Sequence, residues 1–86
     1  MQTEEIERLI QAGLPDSEVY VDGDGTHFNA LVVSSRFAGL SRIQKQQMVY
    51  DTVRKQLMDG TLHALSIRAM TPEEWQAIDD ATNEGK

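Results

Sequence analysis

The sequence predicts an α+β fold, with a three-stranded mixed sheet and helices packed on one face. Two stretches, 3–13 and 42–59, carry apolar residues at the spacing of an amphipathic helix. Three shorter stretches have the length and apolar content of strands, at 17–22, 26–34 and 62–69. A short chain that mixes helices and strands in this order is typical of a small sheet covered by helices.

The first helix is predicted over residues 3–13. Ile6 and Ile10 are four positions apart, so they share one helix face. We expect Thr3 to cap the helix, since a threonine hydroxyl can accept a hydrogen bond from a free N–H of the first turn. We expect Gly13 to end the helix in the left-handed conformation, which glycine adopts without steric cost.

The first two strands are predicted to form a hairpin. Residues 22–25 read Asp-Gly-Asp-Gly, and Asp-Gly pairs favour the positive φ angles of a tight turn. Because side chains alternate along a strand, Phe28 is expected on the face opposite to His27. The second strand carries apolar residues on both faces, which is typical of a central strand.

A long helix is predicted after a short turn at 36–40. Ser41 and Gln44 have the spacing of a capping box, in which each side chain bonds the backbone N–H of the other residue. Gly60 is expected to end this helix. The stripe expected to face the core consists of Ile43, Val49, Tyr50, Val53 and Leu57.

The third strand, 62–69, is followed by a well-marked helix start. Thr71 is predicted to be the N-cap, Pro72 the first helical residue and Glu74 the partner in a capping box. Trp75 is the fourth residue of this helix, the position that packs against the residue before the N-cap in a hydrophobic staple. This position favours a structural role for Trp75 over ligand binding.

The composition indicates one cytoplasmic domain. The 86 residues have room for a single core, which we place at 1–80, followed by a disordered polar tail at 81–86. The chain has no cysteine, so it can form neither a disulfide nor a thiolate ligand. The N-terminus lacks the apolar core of a signal peptide, and no apolar run is long enough for a bilayer.

Catalytic motifs are missing, so we do not expect an enzyme. There is no cysteine nucleophile, no Gly-x-Ser-x-Gly turn and no glycine-rich phosphate loop. His27 and His63 remain as candidate metal ligands, because imidazole binds iron and zinc well. The competing interpretation is that each is a polar residue at a strand end. Two imidazoles cannot complete a tetrahedral site, so a metal would need further ligands from a partner.

The charge distribution leaves nucleic-acid binding as an alternative. The net charge of −6 opposes it at long range, yet six of the eight basic residues lie between positions 36 and 68. The turn and helix there could belong to a helix-turn-helix or KH-like module. The candidate residues are Arg36, Gly39, Arg42 and Lys45. They could equally be the solvated face of a helix.

Five segments together resemble the BolA family. They are 25–28 (Gly-Thr-His-Phe), 32–42 (Val-Val-Ser-Ser-Arg-Phe-Ala-Gly-Leu-Ser-Arg), 46–50, 62–67 (Leu-His-Ala-Leu-Ser-Ile) and 71–75 (Thr-Pro-Glu-Glu-Trp). The similarity runs over residues 3–78 and is greatest to bacterial members with a short hairpin loop. It implies an αββααβ order with a terminal helix, similar to a class II KH domain.

The resemblance also implies a function. BolA-like proteins pair with monothiol glutaredoxins and share a labile [2Fe–2S] cluster, which a glutaredoxin cysteine, a glutathione thiolate and BolA-side histidines hold. The family's ligand histidine corresponds to His63, and His27 is the remaining candidate for a second ligand. The implied roles are iron–sulfur trafficking, iron regulation and the response to acid and redox stress. Transcription regulation through DNA is the alternative, and the free protein is expected to be a monomer or weak homodimer.

Overall fold

The fold is α+β with a three-stranded mixed sheet, as the sequence predicts, and it contains four α-helices. The computed structural model describes the backbone of residues 1–84 and the side chains of residues 1–78. In chain order the elements are α1 (Thr3–Gly13), β1 (Glu18–Gly23), β2 (His27–Val33), a 3-10 turn (Ser35–Phe37), α2 (Arg42–Thr52), α3 (Arg54–Met58), β3 (Ala64–Met70) and α4 (Pro72–Glu84).

The sheet has the strand order β1-β2-β3. β1 runs antiparallel to β2, with Val19 opposite Val32. β2 runs parallel to β3, with His27 opposite Ala64. Parallel pairing requires a crossover, which α2 and α3 provide. The first residues of β2 and β3 therefore lie at the same end of the sheet.

The core lies between the sheet and the helices α1 and α2. Phe28, Ala30 and Val32 alternate toward this core along β2, which confirms the expected separation of Phe28 from His27. The fully buried side chains include Ile6, Ile10, Val32, Phe37, Val49, Val53 and Leu62.

The two ends of α1 differ from the sequence prediction. The N-cap is Gln2 rather than Thr3, and the Gln2 N–H donates to the Glu5 carboxylate at 3.2 Å. Gly13 is the last helical residue and has no positive φ angle. A Cβ at this position would lie 2.5 Å from Cγ2 of Thr52. The glycine therefore serves the close approach of α1 to α2 rather than a left-handed turn.

The predicted long helix is divided at Val53, whose φ of −122° and ψ of 16° are not helical. Val49 and Val53 are buried as expected, whereas Ile43 is 74% exposed and Tyr50 is 37% exposed. The prediction that these last two face the core was wrong. Around α2, Ile43 lies about 120° and Tyr50 about 100° from the buried Val49, so neither shares its face.

The start of α4 confirms its predicted cap. The Glu74 N–H donates to the Thr71 hydroxyl at 3.2 Å, and the Thr71 N–H donates to the Glu74 carboxylate at 3.0 Å. The helix continues to Glu84, into the segment 81–86 predicted to be a disordered tail, and residues 85–86 lie outside the described part. None of the described helices is both long and apolar enough to span a bilayer.

Candidate metal-binding site at the start of the parallel strands

The structure brings His27 and His63 together, although 36 positions separate them in the chain. His27 is the first residue of β2 and pairs with Ala64, and His63 directly precedes Ala64. Neighbouring strands lie about 4.8 Å apart, so the two backbones are adjacent at this end. Both histidines are exposed. Neither ring is sealed in the core, so both are accessible to a partner.

The two histidines differ in how the sheet holds them. Alternation along β2 puts His27 on the open face of the sheet, away from Phe28 and the helices. His63 lies just outside the ladder, in the residue before β3 begins. A metal contacted by both rings would therefore lie at the end of the sheet rather than on either face.

A carboxylate fixes the backbone just before His27. One Asp24 oxygen accepts hydrogen bonds from the N–H groups of Thr26 and His27, each at 2.9 Å. These two bonds, first that of His27, lower the pKa of Asp24 below its usual value. Gly25 completes the turn with a φ of +99°. The turn therefore holds the first residue of β2 in place without using the imidazole ring.

A similar arrangement precedes His63. The Asp59 carboxylate accepts a hydrogen bond from the Thr61 N–H at 2.9 Å, and bonds from the Thr61 hydroxyl and N–H lower the pKa of Asp59. Leu62 is buried, and its N–H donates to the Gln56 carbonyl at 2.9 Å. The neighbour of His63 is thus anchored in the core while His63 itself is exposed.

Tyr50 on α2 holds the beginning of β3 in place through a hydrogen bond. Its hydroxyl donates to the Leu65 carbonyl at 3.0 Å, two residues after His63. The sequence prediction placed Tyr50 in the core, so this contact was not expected. The signal that could have shown it is the hydroxyl itself, since a half-buried tyrosine usually finds a hydrogen-bond partner.

The histidine end of the sheet has too few ligands to hold a metal ion by itself. In the described part of the chain, no three His, Cys, Asp or Glu side chains are grouped so that they could hold an ion. The full sequence has no cysteine. The two imidazoles therefore suit a metal centre whose remaining ligands come from another molecule, and they do not suit a closed structural site.

The four candidate nucleic-acid residues are not gathered in one place. Arg36 forms an ion pair with Asp16 at 3.6 Å, and Lys45 forms one with Glu74 at 2.8 Å. Arg42 and Lys45 line one groove beside β3, which does not include Arg36 or Gly39. Gly39 has a φ of +79°, so its role is to make the turn before α2. Two of the three cations are thus neutralised by carboxylates.

A groove of about 560 Å³ on the open sheet face has no counterpart in the sequence prediction. It is bordered by Tyr20, Leu31, Arg68, Met70, Trp75 and Ile78. Trp75 was predicted to pack as a structural residue, and it is half-buried at the rim of this groove. The groove is formed by the sheet and α4 together, so no local sequence pattern indicates it.

The fold and the site define a small α+β domain that presents two histidines at one end of a mixed sheet. The family model of BolA-like proteins matches residues 9–74. The chain belongs to the BolA family.

Individual relatives agree with this assignment over most of the chain. The acid stress protein IbaG of Escherichia coli K12 is 43% identical over 75 residues, which cover 87% of this chain and 89% of that protein. A BolA homologue from Coxiella burnetii superposes with a TM-score of 0.79 at 34% identity, covering 88% of this chain and 97% of the other. The BolA domain of SufE1 from Arabidopsis thaliana gives a TM-score of 0.72 at 33% identity, covering 84% and 93%.

Proposed function

We propose that this protein is a non-enzymatic partner of a monothiol glutaredoxin and supplies imidazole ligands to a labile [2Fe–2S] cluster that the two share with glutathione. The observation that carries the proposal is the adjacency of His27 and His63, both exposed at one end of the sheet. Membership of the BolA family supports it.

The ligand chemistry of the chain suits a shared cluster. The chain offers two nitrogen donors and no thiolate, so the sulfur ligands must come from the glutaredoxin cysteine and from glutathione. Imidazole in place of thiolate on one iron raises the reduction potential of a [2Fe–2S] centre. His63 is the primary ligand in this proposal, and His27 completes the pair.

The surrounding residues fix the backbone at both histidines before the partner binds. Asp24 holds the backbone at His27, and the buried Leu62 holds the backbone at His63. Tyr50 ties the start of β3 to α2. A site whose backbone is already fixed loses less conformational entropy when it binds.

Imidazole ligation also gives the complex a dependence on acidity. A metal competes with protons for the imidazole nitrogen, so acidification releases the ligand. We propose that the cluster is released under acid stress, which agrees with the name of the acid stress protein IbaG. This suits cluster transfer and stress response better than permanent storage.

Reconstitution tests the proposal directly. The purified protein is mixed with a monothiol glutaredoxin, ferrous iron, sulfide and glutathione. We expect a 1:1 complex by size exclusion and a visible absorption and circular dichroism spectrum that differs from that of the glutaredoxin cluster alone. His63→Ala should abolish the difference, His27→Ala should weaken or shift it, and Gln47→Ala, an exposed change on α2, should leave it intact.

Two results would refute the cluster proposal. A spectrum identical to that of glutaredoxin alone would exclude a shared cluster. An unchanged mixed spectrum after His63→Ala would exclude His63 as a ligand. Complex formation that survives both histidine changes while the spectrum is lost would separate docking from ligation, and would support ligation by the imidazoles.

The nucleic-acid alternative has less geometric support. It requires cations that can reach phosphates, yet Arg36 and Lys45 already face carboxylates. Among the residues that the structure describes, Arg42 is the candidate cation that forms no such ion pair. Salt-dependent DNA binding that is lost in Arg42→Ala would support this function, and no binding at low salt would remove it.

A further inference from the structure

A second candidate site lies along the free edge of β3, away from the histidines. β3 is the last strand of the sheet, so one row of its backbone groups faces no other strand. A groove beside this edge is lined by Ile67 and Ala69 of β3, by Arg42, Lys45 and Gln46 of α2, and by Arg68, Met70 and Glu74.

The direction of the backbone groups follows from two hydrogen bonds. The Met70 carbonyl accepts from the Ser34 N–H, so Met70 faces β2. Because backbone groups alternate sides along a strand, Leu65, Ile67 and Ala69 face outward. The Leu65 carbonyl is taken by the Tyr50 hydroxyl. Ile67 and Ala69 therefore present their N–H and C=O groups to the groove, spaced about 6.7 Å apart.

The groove has the opposite charge to the protein as a whole. Arg42, Lys45 and Arg68 contribute three cations against the single carboxylate of Glu74, although the chain carries a net charge of −6. Lys45 and Glu74 pair with each other at 2.8 Å, which leaves Arg42 and Arg68 as the excess positive charge. The groove is therefore complementary to an anionic ligand.

We propose that this groove binds an extended acidic segment of a partner protein, which adds to β3 as a further strand. Its backbone would pair with Ile67 and Ala69, and acidic side chains at alternate positions would face Arg42 on α2. The site is independent of the histidine end and of the cluster.

The backbone groups favour a peptide over a nucleic acid. An extended peptide brings both N–H donors and C=O acceptors at the repeat of the strand edge. A phosphate backbone brings acceptors only, so the outward carbonyls of Ile67 and Ala69 would meet negative charge without a donor. The alternation of donors and acceptors is therefore the feature that separates the two ligand classes.

A labelled peptide tests the proposal. The probe is a capped peptide of alternating glutamate and valine, titrated against the full chain by fluorescence anisotropy. We expect saturable binding and perturbed amide NMR signals at Ile67 and Ala69. Arg42→Glu should weaken binding more than about tenfold, as loss of a charge-assisted contact does. Lys55→Glu makes the same charge change outside the groove and should have a much smaller effect.

A second probe separates strand addition from simple charge attraction. The same peptide with N-methyl groups on every amide that would face β3 keeps its charges but loses the donors needed for strand pairing. Equal binding of both peptides would overturn the proposal, as would no binding at low salt. Displacement of the peptide by a single-stranded DNA oligomer that binds more tightly would reassign the groove to nucleic acid. Self-association of the chain that Arg42→Glu abolishes would reassign it to a second copy.

Discussion

The hydroxyl of Tyr50 on α2 donates a hydrogen bond to the carbonyl oxygen of Leu65 on β3, at 3.0 Å. This bond joins the crossover helix to the strand that carries the proposed ligand, two residues after His63. It also occupies an outward carbonyl at the free edge of the sheet. The Tyr50–Leu65 contact therefore lies between the histidine end of β3 and the groove beside the second half of the strand.

Removal of this hydroxyl should be measurable. Tyr50→Phe keeps the ring and deletes the hydrogen bond, so we expect the free energy of unfolding to fall by about 1 kcal/mol. Urea unfolding measures this change, and faster amide exchange near Leu65 should accompany it. Tyr20→Phe is the matched control, because its hydroxyl bonds only the exposed Glu18 carboxylate. Equal losses for the two variants would show that the Leu65 contact contributes nothing particular.

The close approach of α1 to α2 should make Gly13 intolerant of a side chain. A methyl group there would meet Cγ2 of Thr52 at 2.5 Å. We expect Gly13→Ala to be destabilising, because overpacking costs about 1–3 kcal/mol while the gain in helix propensity is about 0.5–1 kcal/mol.

Thr52→Ser provides the matched test of that clash. It removes the methyl group and keeps the hydroxyl that donates to the Val49 carbonyl. The double variant should regain much of the lost stability in thermal or urea unfolding. If the two substitutions add independently, the clash is not the cause.

Stability should depend on pH through Glu74. Its hydrogen bond to Lys45 and those at the helix cap lower the pKa of Glu74 to about 2, from an ordinary value of 4.5. A lowered pKa means that the folded state favours the carboxylate. Its contribution is complete above the ordinary pKa and is lost as the pH falls from 4.5 toward about 2.

Glu74→Gln isolates this effect, because glutamine can still make the capping-box contact. The wild-type protein should be more stable than the variant at neutral pH, and the difference should disappear near pH 2. Urea unfolding at several pH values measures it, with Glu73→Gln in the same turn as the control. A difference that stays constant with pH would contradict the assignment to Glu74.

The turn before His27 should depend on the Asp24 carboxylate. Asp24→Ala removes the acceptor for the N–H groups of Thr26 and His27, so we expect faster amide exchange at both and weaker cluster binding with glutaredoxin. Asp24→Asn keeps an acceptor oxygen and should retain most of both properties. Asp22→Ala removes only a contact to the Asn29 side chain and serves as control. Unchanged exchange in Asp24→Ala would show that the turn holds without it.

The features predictable from sequence are those determined by near neighbours in the chain. The caps at Ser41 and Thr71 depend on residues three positions away, and the structure confirms both. The BolA resemblance also predicts the element order, which the structure confirms, and the ligand role of the two histidines stays a prediction. Ile43 and Tyr50 were misplaced because they share a helix face with each other but not with Val49, and packing against the sheet buries the Val49 face.

Contacts between residues that are distant in the chain could not be predicted from the sequence. Nothing adjacent to Gly13 indicates that Thr52 lies against it. The groove beside β3 likewise needs the arrangement of three separate elements, so no local pattern reports it. The pairing of His27 with Ala64 depends on which strands become neighbours, which spacing alone does not determine.

The parallel pairing of β2 and β3 has a consequence for the order of events in the cell. One histidine is synthesised before the crossover and the other after it, so a growing chain presents both rings only once β3 has emerged from the ribosome and docked. Truncated or partly unfolded chains lack the pair. Only a chain that has folded through β3 therefore presents the two candidate ligands side by side.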